Sequence, residues 1–130
     1  MDIQARTFAN VIVLTPQGRI DHQSADAFGE ALSPYMARCE GDSCKLVLDL
    51  SSVDYMSSVG LRALMVAAKQ GRAQGGTLVI SGLGETLREI FQISRFDRVF
   101  TVFEGSRDAV SEIAPEALDD YDRSVAGPAC

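Results

Sequence analysis

Two adjacent serines, Ser57 and Ser58, sit in the stretch Asp54-Tyr55-Met56-Ser57-Ser58-Val59-Gly60-Leu61, between an apolar run and a segment with helical periodicity. A hydroxyl at such a junction has two chemistries open to it. It can cap the helix by accepting a bond from a free first-turn amide, a role worth ~1 kcal/mol. It can instead accept a phosphoryl group, because the free amides and the positive end of the helix dipole accommodate an anion there. Two neighbouring serines leave room for both roles. Hydrolysis has less support. Neither serine lies in a G-x-S-x-G elbow, and the only histidine that could act as a base is His22. A small hydrolase is therefore the weakest of the functions considered, and no enzyme activity is expected.

The other chemical signals are thinner. Gly82-Leu83-Gly84 lacks the third glycine of a dinucleotide fingerprint, and no Walker lysine follows a glycine-rich loop. Cys39, Cys44 and Cys130 form no C-x-x-C pair, and with one histidine in the chain no metal site is expected. Reduced thiols fit this cysteine usage better than a Cys39–Cys44 disulfide. No cofactor is called for. Asp21 reads equally as a loop acceptor or as a partner contact. No reaction can be assigned to Asp49 or Asp54.

Composition narrows the class further. The chain has 130 residues, 46% hydrophobic and 23% charged, with 12 basic and 18 acidic side chains and a net charge of -6. That suits one globular domain. Nucleic-acid binding would need clustered Lys or Arg, and here the basic residues lie singly. The longest apolar candidate for a membrane span, residues 61–68, contains Arg62 and falls far short of ~20 residues. The N-terminus lacks the pattern of a signal peptide. A cytoplasmic protein without membrane attachment is expected.

The elements that must position the serines follow from periodicity. Residues 3–9 and 11–15 read as two strands joined by a turn at Asn10. Pro16-Gln17-Gly18 breaks the pattern. A helix begins near Ser24, with Ala25, Phe28, Leu32 and Tyr35 on one face, and Pro34 is expected to kink or split it. Residues 45–50 form the clearest strand, residues 51–57 a connection, and a second helix starts at Ser58. Gly75-Gly76 ends that helix. A strand follows over 77–81, then a third helix carrying Leu87, Ile90 and Phe91, a strand over 99–103, and a helix over 106–113 capped by Ser106. Residues 114–130, with Glu116, Asp119, Asp120 and Asp122 against Arg123, read as an acidic flexible tail with at most a short helical turn. The sum is an α/β domain over residues 1–113, with a mixed, mostly parallel sheet of about five strands and about four helices. In such a sheet ligands and partners gather at the carboxyl ends of the strands, which again selects the Ser57–Ser58 junction.

The run Leu46-Val47-Leu48-Asp49-Leu50-Ser51-Ser52-Val53-Asp54-Tyr55-Met56-Ser57-Ser58-Val59-Gly60-Leu61 resembles the core signature of STAS domains, and more closely that of stand-alone anti-sigma-factor antagonists. The likeness extends to Gly18-Arg19-Ile20-Asp21, to Gly75-Gly76-Thr77-Leu78-Val79-Ile80, and to Leu87-Arg88-Glu89-Ile90-Phe91-Gln92-Ile93-Ser94. It implies a partner switch. In that family the unmodified antagonist binds an anti-sigma factor of the histidine-kinase-like ATPase fold, often itself a serine kinase, freeing a captive sigma factor or another captive target. Phosphorylation ends the binding, and a metal-dependent serine phosphatase restores it. Aligned on Gly60, the family motif D-S-[ST]-G puts the phosphate acceptor at Ser58, with Ser57 as runner-up. The binding face it implies comprises Asp21, His22, Ser57, Ser58, Val59 and Arg62. The chain departs from the pattern at Ser57, where the family has Asp, and at Val59, where it has a second hydroxyl. Arg95 stands where the family often has Gly; a left-handed backbone there would cost roughly 1–2 kcal/mol. Within the same fold, a scaffold or lipid-transport subunit that is never phosphorylated is the main alternative.

Overall fold

In the computed structural model, residues 3–41 and 44–126 are described. Strands β1 (Ile3–Phe8) and β2 (Val11–Pro16) form an antiparallel hairpin. Its turn places Ala9 at φ +51°, a conformation more often given to glycine. Strands β4 (Lys45–Asp49), β6 (Leu78–Ser81) and β7 (Val102–Phe103) then add in parallel, giving the sheet order β1-β2-β4-β6-β7. The mixed, mostly parallel five-stranded sheet is the one expected from the alternation of elements.

Alternation along the strands divides the core in two. Ile12, Leu14, Leu46, Leu48 and Ile80 point to one face. Val11, Val13, Val47 and Val79 point to the other. Because both faces are covered, the strands read as continuous apolar runs. The first face is packed by α1 (Ala25–Arg38), α2 (Ser58–Ala73) and α3 (Glu85–Ser94) through Phe28, Leu32, Met36, Leu64, Leu87 and Phe91. Pro34 does not divide α1, which runs as one helix with that proline exposed. Helix α2 ends in a Schellman arrangement. Gly75, at φ +70°, donates to the Arg72 carbonyl at 3.1 Å, and Gly76 donates to the Gly71 carbonyl at 2.8 Å.

Three further regions differ from the sequence expectation. Strands β3 (Gly18–Ile20) and β5 (Val53–Met56) pair in parallel as a second, two-stranded sheet; at three and four residues they are too short for a periodic signal. The segment expected as a strand over 99–103 is divided between a one-turn helix α4 (Phe96–Val99) and the two-residue β7. Arg95 separates α3 from α4 at φ +64°, the left-handed conformation its position implied. The last difference is at the C-terminus. Helix α5 (Ser106–Ile113) takes Gly105 rather than Ser106 as its N-cap. Within the acidic segment a single 3-10 turn (Pro115–Ala117) and helix α6 (Leu118–Ala126) form, while the last four residues of the expected tail, 127–130, lie outside the described residues; the described residues hold six α-helices rather than about four.

Helix α6 is packed against the second face. The Tyr121 ring stands edge-on to Phe8 at 5.2 Å, and its hydroxyl shares a 2.6 Å hydrogen bond with Ser106. Arg107 donates to both carboxylate oxygens of Asp122, at 2.9 and 3.1 Å. Lys45 donates to the Ile113 carbonyl at 2.6 Å, closing the end of α5.

Candidate functional site

The site is where β5 hands over to α2. The Ser57 amide donates to the Ile20 carbonyl at 2.7 Å, tying this junction to the end of β3. Ser57 is in extended conformation, and its hydroxyl accepts from the Gly60 amide at 3.2 Å. It is the N-cap of α2 and only 9% exposed. Ser58 occupies the first helical position and is exposed. Its hydroxyl bonds to no described group of the protein. The two roles open to the serine pair are thus divided, with Ser57 inside as the cap and Ser58 outside and free.

Gly60 makes this closeness possible. A Cβ at that position would lie 2.8 Å from Cγ2 of Ile20, 2.9 Å from Cγ of Met56 and 3.1 Å from the Ile20 carbonyl oxygen. With hydrogen in its place, the first turn of α2 seats directly on the ends of β3 and β5. The Ser58 and Val59 amides belong to the first turn and have no carbonyl partner within the helix. With the dipole, they form a setting suited to a phosphate carried on the Ser58 oxygen.

The loop after β3 is brought to the same rim by the Ile20–Ser57 bond. Asp21 is half-buried there. Its Oδ1 accepts from the Gln23 amide at 3.0 Å and the Ser24 amide at 3.2 Å. These bonds, the Gln23 amide foremost, hold its carboxyl below the usual carboxylate range. Asp21 is therefore occupied in shaping the loop. Ser24 stands at the N-cap position of α1, but its hydroxyl donates to the Arg19 carbonyl and accepts from the Asp21 amide. His22 is exposed beside them and is not hydrogen-bonded to either serine. Val59 is 44% exposed and Arg62, one turn further along α2, is exposed. Of the six residues the sequence singled out, His22, Ser58, Val59 and Arg62 present themselves to solvent, while Asp21 and Ser57 serve local structure.

One feature near the site was not singled out. Arg19 and Tyr55 are register partners on β3 and β5, and the guanidinium lies 4.6 Å from the ring centroid. The alternation of Arg19 with buried Ile20, and of Tyr55 with buried Met56, carries that pairing once the short strands are recognised. Among the described residues, no group of three or more His, Cys, Asp or Glu side chains could hold a metal ion. None of the described helices is long and apolar enough to cross a membrane.

The STAS domain family model matches residues 2–109. BtrV of Bordetella bronchiseptica, named as a candidate anti-sigma factor antagonist, is 34% identical over 108 residues, covering 83% of this chain and 90% of that protein. The anti-sigma-F factor antagonist RsfB of Mycobacterium tuberculosis is 28% identical over 109 residues, covering 84% of this chain and 86% of RsfB. Among solved structures, an anti-sigma factor antagonist from Mycobacterium paratuberculosis superposes with a TM-score of 0.76 at 24% identity, covering 86% of this chain and 92% of that one. SpoIIAA in its unphosphorylated form superposes with a TM-score of 0.68 at 16% identity, covering 86% and 96%. These two structural likenesses show a shared fold.

Proposed function

We propose that this chain, which belongs to the STAS domain family, acts as an anti-sigma-factor antagonist whose binding is switched off by phosphorylation of Ser58. The observation that carries this reading is the division between the two serines. Ser57 is buried and capping, while Ser58 is exposed and unbonded on the first turn of α2. The relatives named as antagonists support the partner class.

In this reading the unmodified protein presents His22, Ser58, Val59 and Arg62 to an anti-sigma factor that is also a serine kinase of the histidine-kinase-like ATPase fold. Binding releases the captive sigma factor. The kinase then transfers the γ-phosphoryl group of ATP. A bond forms between the Ser58 oxygen and phosphorus, the bond from phosphorus to the ADP oxygen breaks, and the hydroxyl proton leaves to a base on the kinase. A metal-dependent serine phosphatase reverses the state by directing water onto the phosphorus, which returns the hydroxyl and inorganic phosphate. The setting is the cytoplasm, where ATP and sigma factors are found. The protein's own role is binding rather than catalysis.

The physical basis of the switch is electrostatic. The phosphate adds ~1.5–2 negative charges and three acceptor oxygens at a point the partner covers. The helix end tolerates this charge, so the domain keeps its fold. The complex does not, because an unpaired charge at a covered interface costs about 2–5 kcal/mol. Ser57, where the family has Asp, preserves the cap, since both residue types accept bonds from first-turn amides. It also removes a carboxylate from beside the acceptor. The test is the affinity of the kinase-fold partner for the parent, Ser58→Ala and Ser58→Asp proteins. Ser58→Ala should bind like the parent and take up no phosphate, and Ser58→Asp should bind roughly a hundredfold more weakly. Phosphate uptake by Ser58→Ala at the parental rate would place the acceptor elsewhere.

A further inference from the structure

A groove of about 400 Å³ runs between α1 and α2 on the solvent side of the first face. The two helices are parallel, since Gly29 stands against Ala63 and Met36 against Gly71. One end of the groove, at Ala25 and Ala63, therefore faces the end of α2 that carries Ser58. Small residues (Ala25, Gly29, Ala63 and Ala67) give it depth. On the α2 side it is lined by Ala63, Val66, Ala67 and Gln70, and Val59, four residues before Ala63, continues that helical face beyond the groove toward Ser58. Val59 is 44% and Val66 62% exposed. Valines this exposed, two turns apart, contribute little to packing within this chain, and valine is a poor helix former. On the α1 side the groove is lined by Asp26 and Glu30, also one turn apart, and these are the only charged residues in its lining.

We infer that this groove is a docking surface for a basic amphipathic helix of the partner kinase, with apolar side chains on Val59 and Val66 and Lys or Arg side chains facing Asp26 and Glu30. The inference rests on the Ser58 reading for the identity of the partner, and adds the chemistry by which the partner is chosen. The apolar stripe and acidic wall match the two sides of such a helix. A partner helix with acidic residues in those places would meet two carboxylates and be rejected. Continuity with the start of α2 gives the groove a second consequence. A helix seated in it would hold the kinase beside Ser58, so docking and phosphate transfer would share one surface.

The experiment titrates the full chain, by calorimetry, with each purified histidine-kinase-fold serine kinase encoded in the source genome. The parent is compared with Asp26→Lys/Glu30→Lys, Val66→Ser, Ser58→Asp and, on the opposite face, Glu112→Lys. Thermal melting checks that each variant is folded. The expected result is a loss of affinity of about tenfold or more for the double charge reversal, with a weaker dependence on salt. Val66→Ser should lose about threefold, and Glu112→Lys should bind as the parent does. If Ser58→Asp abolishes binding while the groove variants bind like the parent, the docking surface is wrong and the Ser58 switch stands. Tighter binding by the charge-reversed protein would also overturn it, as would a change confined to self-association in sedimentation. Binding that is indifferent to both Ser58 and the groove, or no binding by any of the kinases, would overturn both readings.

Discussion

The two faces of the sheet are closed by different means. Toward α1, α2 and α3 the cover is three helices of 10 to 16 residues with large apolar side chains, Phe28, Leu32, Leu64 and Phe91 among them. Toward α5 and α6 it is shorter segments whose buried side chains are Ala109, Val110, Ala114, Ala117 and Tyr121, with Ile113 and Leu118 packed beside them. The first face ends at the Ser57–Ser58 junction. The second has no residue at that junction and reaches past the last residue matched by the family model. The contrast teaches that packing on the first face also positions the functional end. On the second face, packing rests on a few specific contacts of the C-terminal helix.

Substitutions on each face test that division. The largest effect is expected at Tyr121. Tyr121→Ala removes the ring from Phe8 and leaves the Ser106 hydroxyl without its partner. A loss of about 3 kcal/mol is expected in chemical denaturation, with α6 amides exchanging hydrogen faster and partner affinity unchanged. A large loss of partner affinity in the folded variant would mean that the two faces are not separate in function. Next comes Gly60→Ala. The added methyl meets Ile20 and Met56 under 3 Å, so the start of α2 must shift. It should cost about 2 kcal/mol and weaken partner binding too, which distinguishes it from Tyr121→Ala. Ser57→Ala removes the cap at a cost of ~1 kcal/mol and should leave phosphate uptake in place. The smallest change has the opposite sign. Arg95→Gly relieves the left-handed backbone between α3 and α4 and should raise stability by roughly 0.5–1 kcal/mol, seen as a higher denaturation midpoint. Destabilisation there would mean that the Arg95 side chain contributes more than its backbone costs.

The legible parts of this fold share a physical reason. Strands β2, β4 and β6 are buried on both faces, so their apolar runs stand out. Helix α2 declares both its ends, with serines before and paired glycines after. The family signature falls on these same elements, so the position of Ser58 could be read from sequence. What could not be read there was which serine caps the helix, because the choice depends on the bond from the Ser57 amide to Ile20, far away in the chain. Strands β3 and β5 escaped because three or four residues carry no period. Helix α6 escaped because its apolar share is small. Its place is fixed by Tyr121 reaching Phe8 and Ser106, contacts that no local pattern encodes. Asp21 was equally ambiguous until its bonds to the Gln23 and Ser24 amides were seen.

The most direct test of the switch is to map the phosphate. The full chain is incubated with ATP and its kinase-fold partner, and the modified residue is located by peptide mass spectrometry. One phosphate on Ser58 is the expected result, with the modified protein released from the partner. A phosphate on Ser57, or a Ser58-phosphorylated protein that stays bound, would contradict the account.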